Sequence, residues 1–406
     1  MSSTTQGLGP SAPDPEPRLA QRAPARLGLA GGERSRRLVL MGDPAFFSVK
    51  GGANPHTRTR WGTRRTVDRA RAQAQWARLR DVLADLGVRV LVVPPDPAQP
   101  GLVYPANAGF LTDVDAERPI SEKTFLLANL LPTRAGEMPH YRRVLEAAGF
   151  RCAELDPRFR MEGEADFFPV GDRYLLTHGR IERQRFVPAW GWPPWRRVYG
   201  FRTDAAVEPL LREIVKPRDV LRIELVKEAH YHGDTALCAF GPGRRFLLAW
   251  RPALAPGAWE RLESAFPGAL LALSDEDASV YAANSFTLTQ GGASHLVMPG
   301  GVSERLQAQV RERGVQPLVV DVSEFLKKGG GSVKCMIGDL GPVEESSSSK
   351  SSGPSRSSAS SSDPLSTAAW RPPIPTASDK PASTRSTPSA FWRVRSGRGR
   401  LWEAGS

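Results

Sequence analysis

Gly329-Gly330-Gly331-Ser332-Val333-Lys334-Cys335-Met336 is the stretch whose reading decides the fold. Glycines let the backbone take positive φ and approach a ligand closely. A cysteine follows with a lysine beside it, and a nearby cation favours the reactive thiolate. One reading makes Cys335 a nucleophile presented on a glycine loop. The other makes it a small buried hydrophobe behind a flexible turn. Ser-rich sequence begins at Ser346, so this loop closes the last folded segment.

Working back along the chain, the same order of elements recurs. Residues 38–41 read as a strand. Residues 66–86 read as an amphipathic helix with Val67, Ala70, Ala74, Ala77, Leu83 and Leu86 near one face. Gly87 stops it, and 88–93 is a strand ended by Pro94-Pro95. Helix, stop and strand return over 141–155, 207–226, 259–273 and 303–322. Each pair is followed by a polar knot and another apolar strand. The knots hold Ala106-Asn107-Ala108-Gly109, Glu162-Gly163-Glu164-Ala165-Asp166, His232-Gly233-Asp234-Thr235, Ala283-Asn284-Ser285 and Gly331 to Cys335. From Asn107 through Asp166, His232 and Asn284 to Cys335 the intervals are 59, 66, 52 and 51 residues, near enough to a period to imply five similar units. Each unit needs neighbours to bury its sheet and helix, so five imply a closed ring with equivalent knots facing its axis. A Cys, a His, a Glu, two Asp and two Asn would then share one central pocket.

These motifs in this order resemble those of the guanidine-modifying, or pentein, superfamily, which includes arginine deiminases, dimethylargininases and amidinotransferases. The closest likeness is to the branch with the arginine dihydrolases. It rests on Asn54-Pro55 after the first strand, the Ala106–Gly109 segment, Glu162-Gly163-x-x-Asp166, His232-x-Asp234-Thr235 and the glycine run before Cys335, over roughly residues 37–342. The resemblance implies an α/β fold, a five-bladed propeller of ββαβ units with the active site on its axis. There are departures. Gly101 stands near a point where the family usually has an acidic residue, Asn107 is neutral where deiminases and dimethylargininases have a carboxylate, and Gly233 follows His232 where a bulkier residue is common.

A guanidinium is planar, cationic and resonance-stabilised, so cleaving its C–N bond sets three demands. Carboxylates must hold the cation by paired hydrogen bonds, a soft nucleophile must attack the central carbon, and an acid must protonate the departing amine. Cys335 suits the nucleophile and His232 the acid, with Glu162 orienting His232 and favouring its charged form. Asp166 and Asp234 suit the cation, and Asn54 and Asn107 can bind it without added charge. Arg134 and Arg202 resemble segments lining the family's pocket and suit a substrate carboxylate. Glu164 reads as a bystander, and Asn284 stays open between a turn residue and a ligand contact. Cys152 and Cys238 fall in predicted strands and read as core. The expected activity is hydrolysis of arginine or a close guanidino compound through a covalent Cys335 adduct. Amidinotransfer and dimethylarginine hydrolysis are the alternatives, and an inactive binding propeller is a third.

Composition limits the other classes. Of 406 residues, 40% are hydrophobic, enough for a sizeable core. No run approaches the roughly 18 apolar residues of a membrane span, and the polar, Pro-rich start lacks a signal-like apolar region. Three widely spaced cysteines without a CxxC pair, and six His, argue against disulfides and structural zinc. No metal or cofactor is expected, and the setting is cytoplasmic. The net charge of +12 raises nucleic acid as a partner, but more than half the excess lies in residues 1–37 and 343–406. These read as a disordered N-terminal segment and a Ser/Pro/Arg-rich disordered tail flanking a catalytic domain over 38–342. No specific nucleic acid and no membrane are expected; a homo-oligomer is possible. Trp190-Gly191-Trp192-Pro193-Pro194-Trp195 reads as either a lid or an oligomer contact.

Overall fold

Five sheets, each of three strands, account for all but two of the strands in the computed structural model of the chain, which describes residues 35–50, 54–59, 63–192 and 194–344. The expected tails, apart from Ser35 to Arg37 and residues 343–344, lie outside the described residues. The first sheet begins with β1 (Ser35–Gly42), helix α1 (Arg69–Asp85) and β2 (Arg89–Val93). The second holds β3 (Gly109–Leu111), β4 (Thr124–Leu127), α2 (Met138–Ala147) and β5 (Arg151–Glu154). In the third, β6 (Phe167–Val170) and β7 (Arg173–His178) precede an inserted ribbon, β8 (Arg185–Pro188) and β9 (Trp195–Val198). Helix α3 (Glu208–Ile214) and β10 (Val220–Glu224) complete it. The fourth has β11 (Leu237–Phe240), β12 (Phe246–Ala249), α4 (Ala258–Ala265) and β13 (Leu270–Ala272). After α5 (Asp275–Ser279) the fifth has β14 (Phe286–Gln290), β15 (Ala293–Pro299), α6 (Glu304–Glu312) and β16 (Gln316–Val320). Helix α7 (Ser323–Gly329) then leads to β17 (Gly338–Glu344).

Every sheet has one design. The first two strands are antiparallel, and the helix carries the chain over to a parallel third, as a parallel neighbour requires a crossover. The first sheet differs only in order: its inner strand is β17, antiparallel to β1, so the last described strand completes the sheet that the first began. The fold is therefore the expected five-bladed α/β propeller.

Each hydrophobic core lies between neighbouring blades. Leu38, Leu40 and Leu340 of the first pack with Phe125, Tyr141 and Leu145 of the second. Phe110 and Leu126 meet Phe167, Tyr174 and Leu211 of the third. Phe168 and Ile223 meet Leu237 and Leu247 of the fourth, and Phe240 and Leu248 meet Leu296 and Leu306 of the fifth. Leu79 and Leu83 of α1 close the ring on Phe286, Val297 and Val320. A fully buried side chain of this size contributes about 1.5–3 kcal/mol, so each blade is stabilised by both neighbours.

Two expectations need correction. The buried face of α1 is Ala72, Gln75, Trp76, Leu79 and Leu83, while Ala70 and Ala74 are exposed. The large residues, not the alanines, set its orientation, because burial scales with apolar area. The folded part also starts before residue 38. Arg37 lies in β1, with its Nε and Nη2 donating to Asp339 of β17 at 2.8 and 2.6 Å. Arg244 adds a 2.8 Å contact to Asp339 and a forked pair with Asp115. This knot ties β1 to β17. Asp339→Ala strands two buried guanidinium groups and is expected to destabilise the protein by about 3–5 kcal/mol, readable as an urea midpoint lowered without change of slope.

The ribbon β8–β9 was not foreseen. It carries the Trp-rich segment at its tip, where Trp190 and Trp192 are exposed, and its base supplies residues near the ring axis. Cys238 is buried as expected, but Cys152 is only half-buried on β5. Among the described residues, no helix is long and apolar enough to cross a membrane.

Candidate active site

The knots do converge. Four of the five form a short 3-10 turn just before the inner strand of their blade, at Pro105–Asn107, Gly163–Ala165, Gly233–Thr235 and Lys334–Met336, and the fifth, at Asn284, is an irregular turn before β14. A cavity of about 740 Å³ opens over them, lined among others by Asn54, Asn107, Arg134, Glu162, Arg202, His232 and Cys335. Seven of the nine residues expected at the site therefore share one wall. Asp166 and Asp234 lie behind it.

Cys335 is held by its loop and by Asn284. Gly330 has φ +66°, and a Cβ there would meet the His56 ring at 2.7 Å; a Cβ on Gly331 would meet the Tyr104 ring at 2.6 Å. Only glycine fits both conditions. Asn284 Oδ1 accepts from the amides of Ser332 (2.8 Å) and Cys335 (3.1 Å), while its Nδ2 donates to Cys335 Sγ (3.2 Å) and to the Asp234 carbonyl (3.1 Å). The open question over Asn284 is thus answered: it fixes the sulfur and its loop. It follows Tyr281, a non-glycine residue at φ +59° whose carbonyl accepts the Asn284 amide. Strain of this kind is held only where the surroundings over-determine it. The Tyr281 hydroxyl lies 2.9 Å from His56 Nε2 and donates to the Ala229 carbonyl at 2.8 Å.

The thiol donates to Asp234 Oδ2 at 3.4 Å. Burial, then the Asp234 charge, push the Cys335 thiol well above its ordinary value. The thiol is therefore not the ready thiolate expected, and the Lys334 ammonium bonds Glu164 (2.8 Å) and the Ile337 carbonyl (3.1 Å). Glu164 is therefore no bystander, and its Oε1 also accepts the Asp339 amide at 2.8 Å. The buried Asp234 is pushed up to about 6, with His232 and Lys334 opposing that rise.

His232 Nε2 donates to Glu162 Oε2 at 2.8 Å, and both side chains are almost fully buried. Burial alone would push the Glu162 carboxyl up. The His232 hydrogen bond and charge outweigh this, with Arg134 and Arg202 behind them, and hold it at about 2. Burial likewise disfavours charge on His232, but Asp166 and Glu162 overcome it and raise the imidazole above its usual range. His232 is thus poised as an imidazolium.

Asp166 is a correction. Its Oδ1 accepts from Thr177 (2.7 Å) and the Gly233 amide (2.9 Å), and its Oδ2 from Thr203 (2.7 Å). With both oxygens occupied, it fixes the His232 turn rather than facing the cavity. Arg134 is altered too. Its Nε and Nη2 grip Glu137 at 3.0 and 2.8 Å, while Nη1 donates to Asn107 Oδ1 at 2.9 Å. Its forked face is already taken by a carboxylate of the protein. Glu137, nearly fully buried, fills the space beside Gly101, where a Cβ would meet its Oε1 at 1.9 Å. A carboxylate therefore does stand near residue 101, delivered from another segment. Arg202 lies over the Tyr231 ring at 4.9 Å, and Asn54 accepts the His56 amide at the cavity rim.

Three buried polar atoms around the site have no partner: Asp234 Oδ1, Glu162 Oε1 and Asn107 Nδ2. The two negatively charged acceptors suit a planar cation that carries several N–H groups, and the Asn107 donor suits an acceptor elsewhere on the same ligand. Among the described residues, no group of three or more His, Cys, Asp or Glu is placed to hold a metal ion.

No protein-family model matches the chain. It is 32% identical over 323 residues to the N(G),N(G)-dimethylarginine dimethylaminohydrolase of Mycobacterium tuberculosis, covering 79% of this chain and 91% of that one. It is 28% identical over 308 residues to the bifunctional arginine dihydrolase/ornithine cyclodeaminase AgrE of Nostoc, covering 74% of this chain and 37% of that longer protein. Among solved structures, the substrate-bound N-terminal domain of the cyanobacterial arginine dihydrolase ArgZ aligns with a TM-score of 0.62 at 22% identity. That alignment covers 76% of this chain and all of that domain, and shows the shared fold. The chain belongs to the guanidine-modifying pentein superfamily, in the branch of the dimethylarginine dimethylaminohydrolases and arginine dihydrolases.

Proposed function

We propose that this protein is a cysteine-dependent hydrolase that cleaves a guanidino C–N bond in arginine or a close arginine derivative. The observation that carries the reading is the pairing of a thiol on Asp234 with an imidazolium on Glu162 over one cavity. A substrate guanidinium donates to the unpaired oxygens of Glu162, on the cavity wall, and of Asp234 just behind it. Its positive charge offsets Asp234 and lowers the thiol's cost of ionising, since an adjacent cation favours thiolate. The thiol proton passes to solvent, the sulfur attacks the central carbon, and His232 gives its proton to the departing amine, which leaves as ammonia from arginine. Water then adds to the S-linked amidine, with neutral His232 taking its proton. The C–S bond breaks, the thiol is restored and a ureido product forms. Arg202, with Arg160 on the same wall, receives the substrate's carboxylate. Arg134, engaged by Glu137, orients Asn107. The setting is a reducing one, the cytoplasm, which suits three free cysteines.

Hydrolysis of N-methylated arginine is the second reading, favoured by the relative at 32% identity. One assay separates the cases. Purified protein is given arginine, and separately asymmetric dimethylarginine, with no added amine. Ammonia with citrulline or ornithine identifies the first reading, and dimethylamine with citrulline the second. Turnover that appears only when an acceptor amine is added would replace both with amidinotransfer.

A further inference from the structure

Lys334 and Glu164 take no part in the chemistry above, yet they are buried directly behind it. With Asp234 they line a small internal cavity of about 30 Å³, whose wall also includes Arg244, Cys238 and Ser285. Cys335 does not line this cavity. Asp234 stands between, lining it while its Oδ2 receives the thiol. We propose that the Lys334–Glu164 pair is a positioning device that sets, from behind, the electrostatic field at Asp234 and at the Cys335 thiol it receives, and so tunes how readily that thiol ionises. The proposal rests on the reading of Cys335 as a nucleophile beside Asp234.

The surrounding charges divide cleanly. Asp234 feels His232, Asp166 and Lys334 as well as the thiol. Glu162 engages His232 from the cavity side. Glu164 feels Lys334 and Asp339. Beyond them Arg37 and Arg244 are matched by Asp339 and Asp115, so that group is internally compensated. Lys334 is thus the cation behind Asp234, and Glu164 the anion that tempers it. Glu164 is itself held by the Asp339 amide, which keeps the pair from drifting toward the sulfur.

The signs follow from Coulomb's law in a poorly solvated interior. Without the Lys334 charge, both Asp234 and Cys335 ionise less readily, so their pKa values rise. Without the Glu164 charge, Lys334 acts undiluted and both fall. Burial pushes Glu164 up to about 7 against the pull of Lys334, so its charge is complete in the alkaline range where the thiol titrates. The thiol is therefore the better reporter.

The test uses the full-length protein without substrate. Alkylation by uncharged iodoacetamide is followed at the Cys335 peptide by mass spectrometry across the alkaline range. Lys334→Met is expected to move the rate midpoint up by roughly half to one pH unit, and Glu164→Gln to move it down by a similar amount. Lys334→Arg should keep the wild-type midpoint. The double variant Lys334→Met/Glu164→Gln should return close to wild type, because the displacements cancel. If Lys334→Met fails to fold, a lowered midpoint in Glu164→Gln with its reversal in the double variant supports the proposal. Single variants that shift in the same direction, or that lose rate with no shift, overturn it. Because no guanidine is present, failure of the hydrolase reading leaves this result readable.

Discussion

Replacing Cys335 with Ser is expected to lower kcat on the preferred guanidine on the order of 10⁴-fold or more while KM moves only a few-fold. The side chains are nearly the same size, so the loop held by Asn284 and the hydrogen bond to Asp234 can persist. What changes is the atom. A hydroxyl ionises far less readily than a thiol, and in a site whose burial already pushes the thiol up it stays neutral even beside a bound cation. Binding survives because Asp234 and Glu162 are untouched. Single-turnover kinetics with mass spectrometry checks this: wild type gives a transient adduct at the Cys335 peptide and the variant gives none. A serine variant retaining a tenth of the activity would mean that the sulfur is not the nucleophile.

Glu162→Gln is expected to lower kcat/KM by roughly 10²–10⁴-fold near neutral pH. The amide preserves shape but removes an anion 2.8 Å from His232. Burial, already the largest influence on His232, then opposes its charge with only Asp166 and Asp234 to resist. The sign follows directly. The acid step needs the imidazolium, so activity is present below the His232 pKa and lost above it. Lowering that pKa shifts the alkaline limb of the rate profile to lower pH. A uniform loss with the limb unmoved would show that Glu162 acts by holding substrate and not through His232. His232→Asn goes further, since both the acid for the departing amine and the group that would activate water are gone, and turnover should fall below that of Glu162→Gln.

The fold was legible because a ring built from repeats writes its period into the chain. Helix, stop, strand and polar knot recur at 51 to 66 residues around the ring, and the helices and strands read from the sequence overlap those of the structure. The ribbon β8–β9 was not legible, because it breaks the period and its apolar residues face outward. The α1 face was misread for a related reason: its alanines match helical spacing, but Trp76, Leu79 and Leu83 carry the area that decides orientation.

The candidate site residues and their order were also proposed from the chain alone, since Cys335, His232 and Glu162 lie in the polar knots of recurring units, and the structure brings them to one cavity. Tertiary structure decided what each can do. Asp166 spends both oxygens on Thr177, Thr203 and Gly233, Arg134 spends its fork on Glu137, and Lys334 turns to Glu164 although Cys335 is its neighbour in sequence. A carboxylate or guanidinium has a fixed number of hydrogen-bonding positions, and which groups fill them depends on partners brought from distant blades. Periodicity in the sequence could place the knots around one axis, but only the packed ring could say which of their charges remained unpaired and facing the cavity.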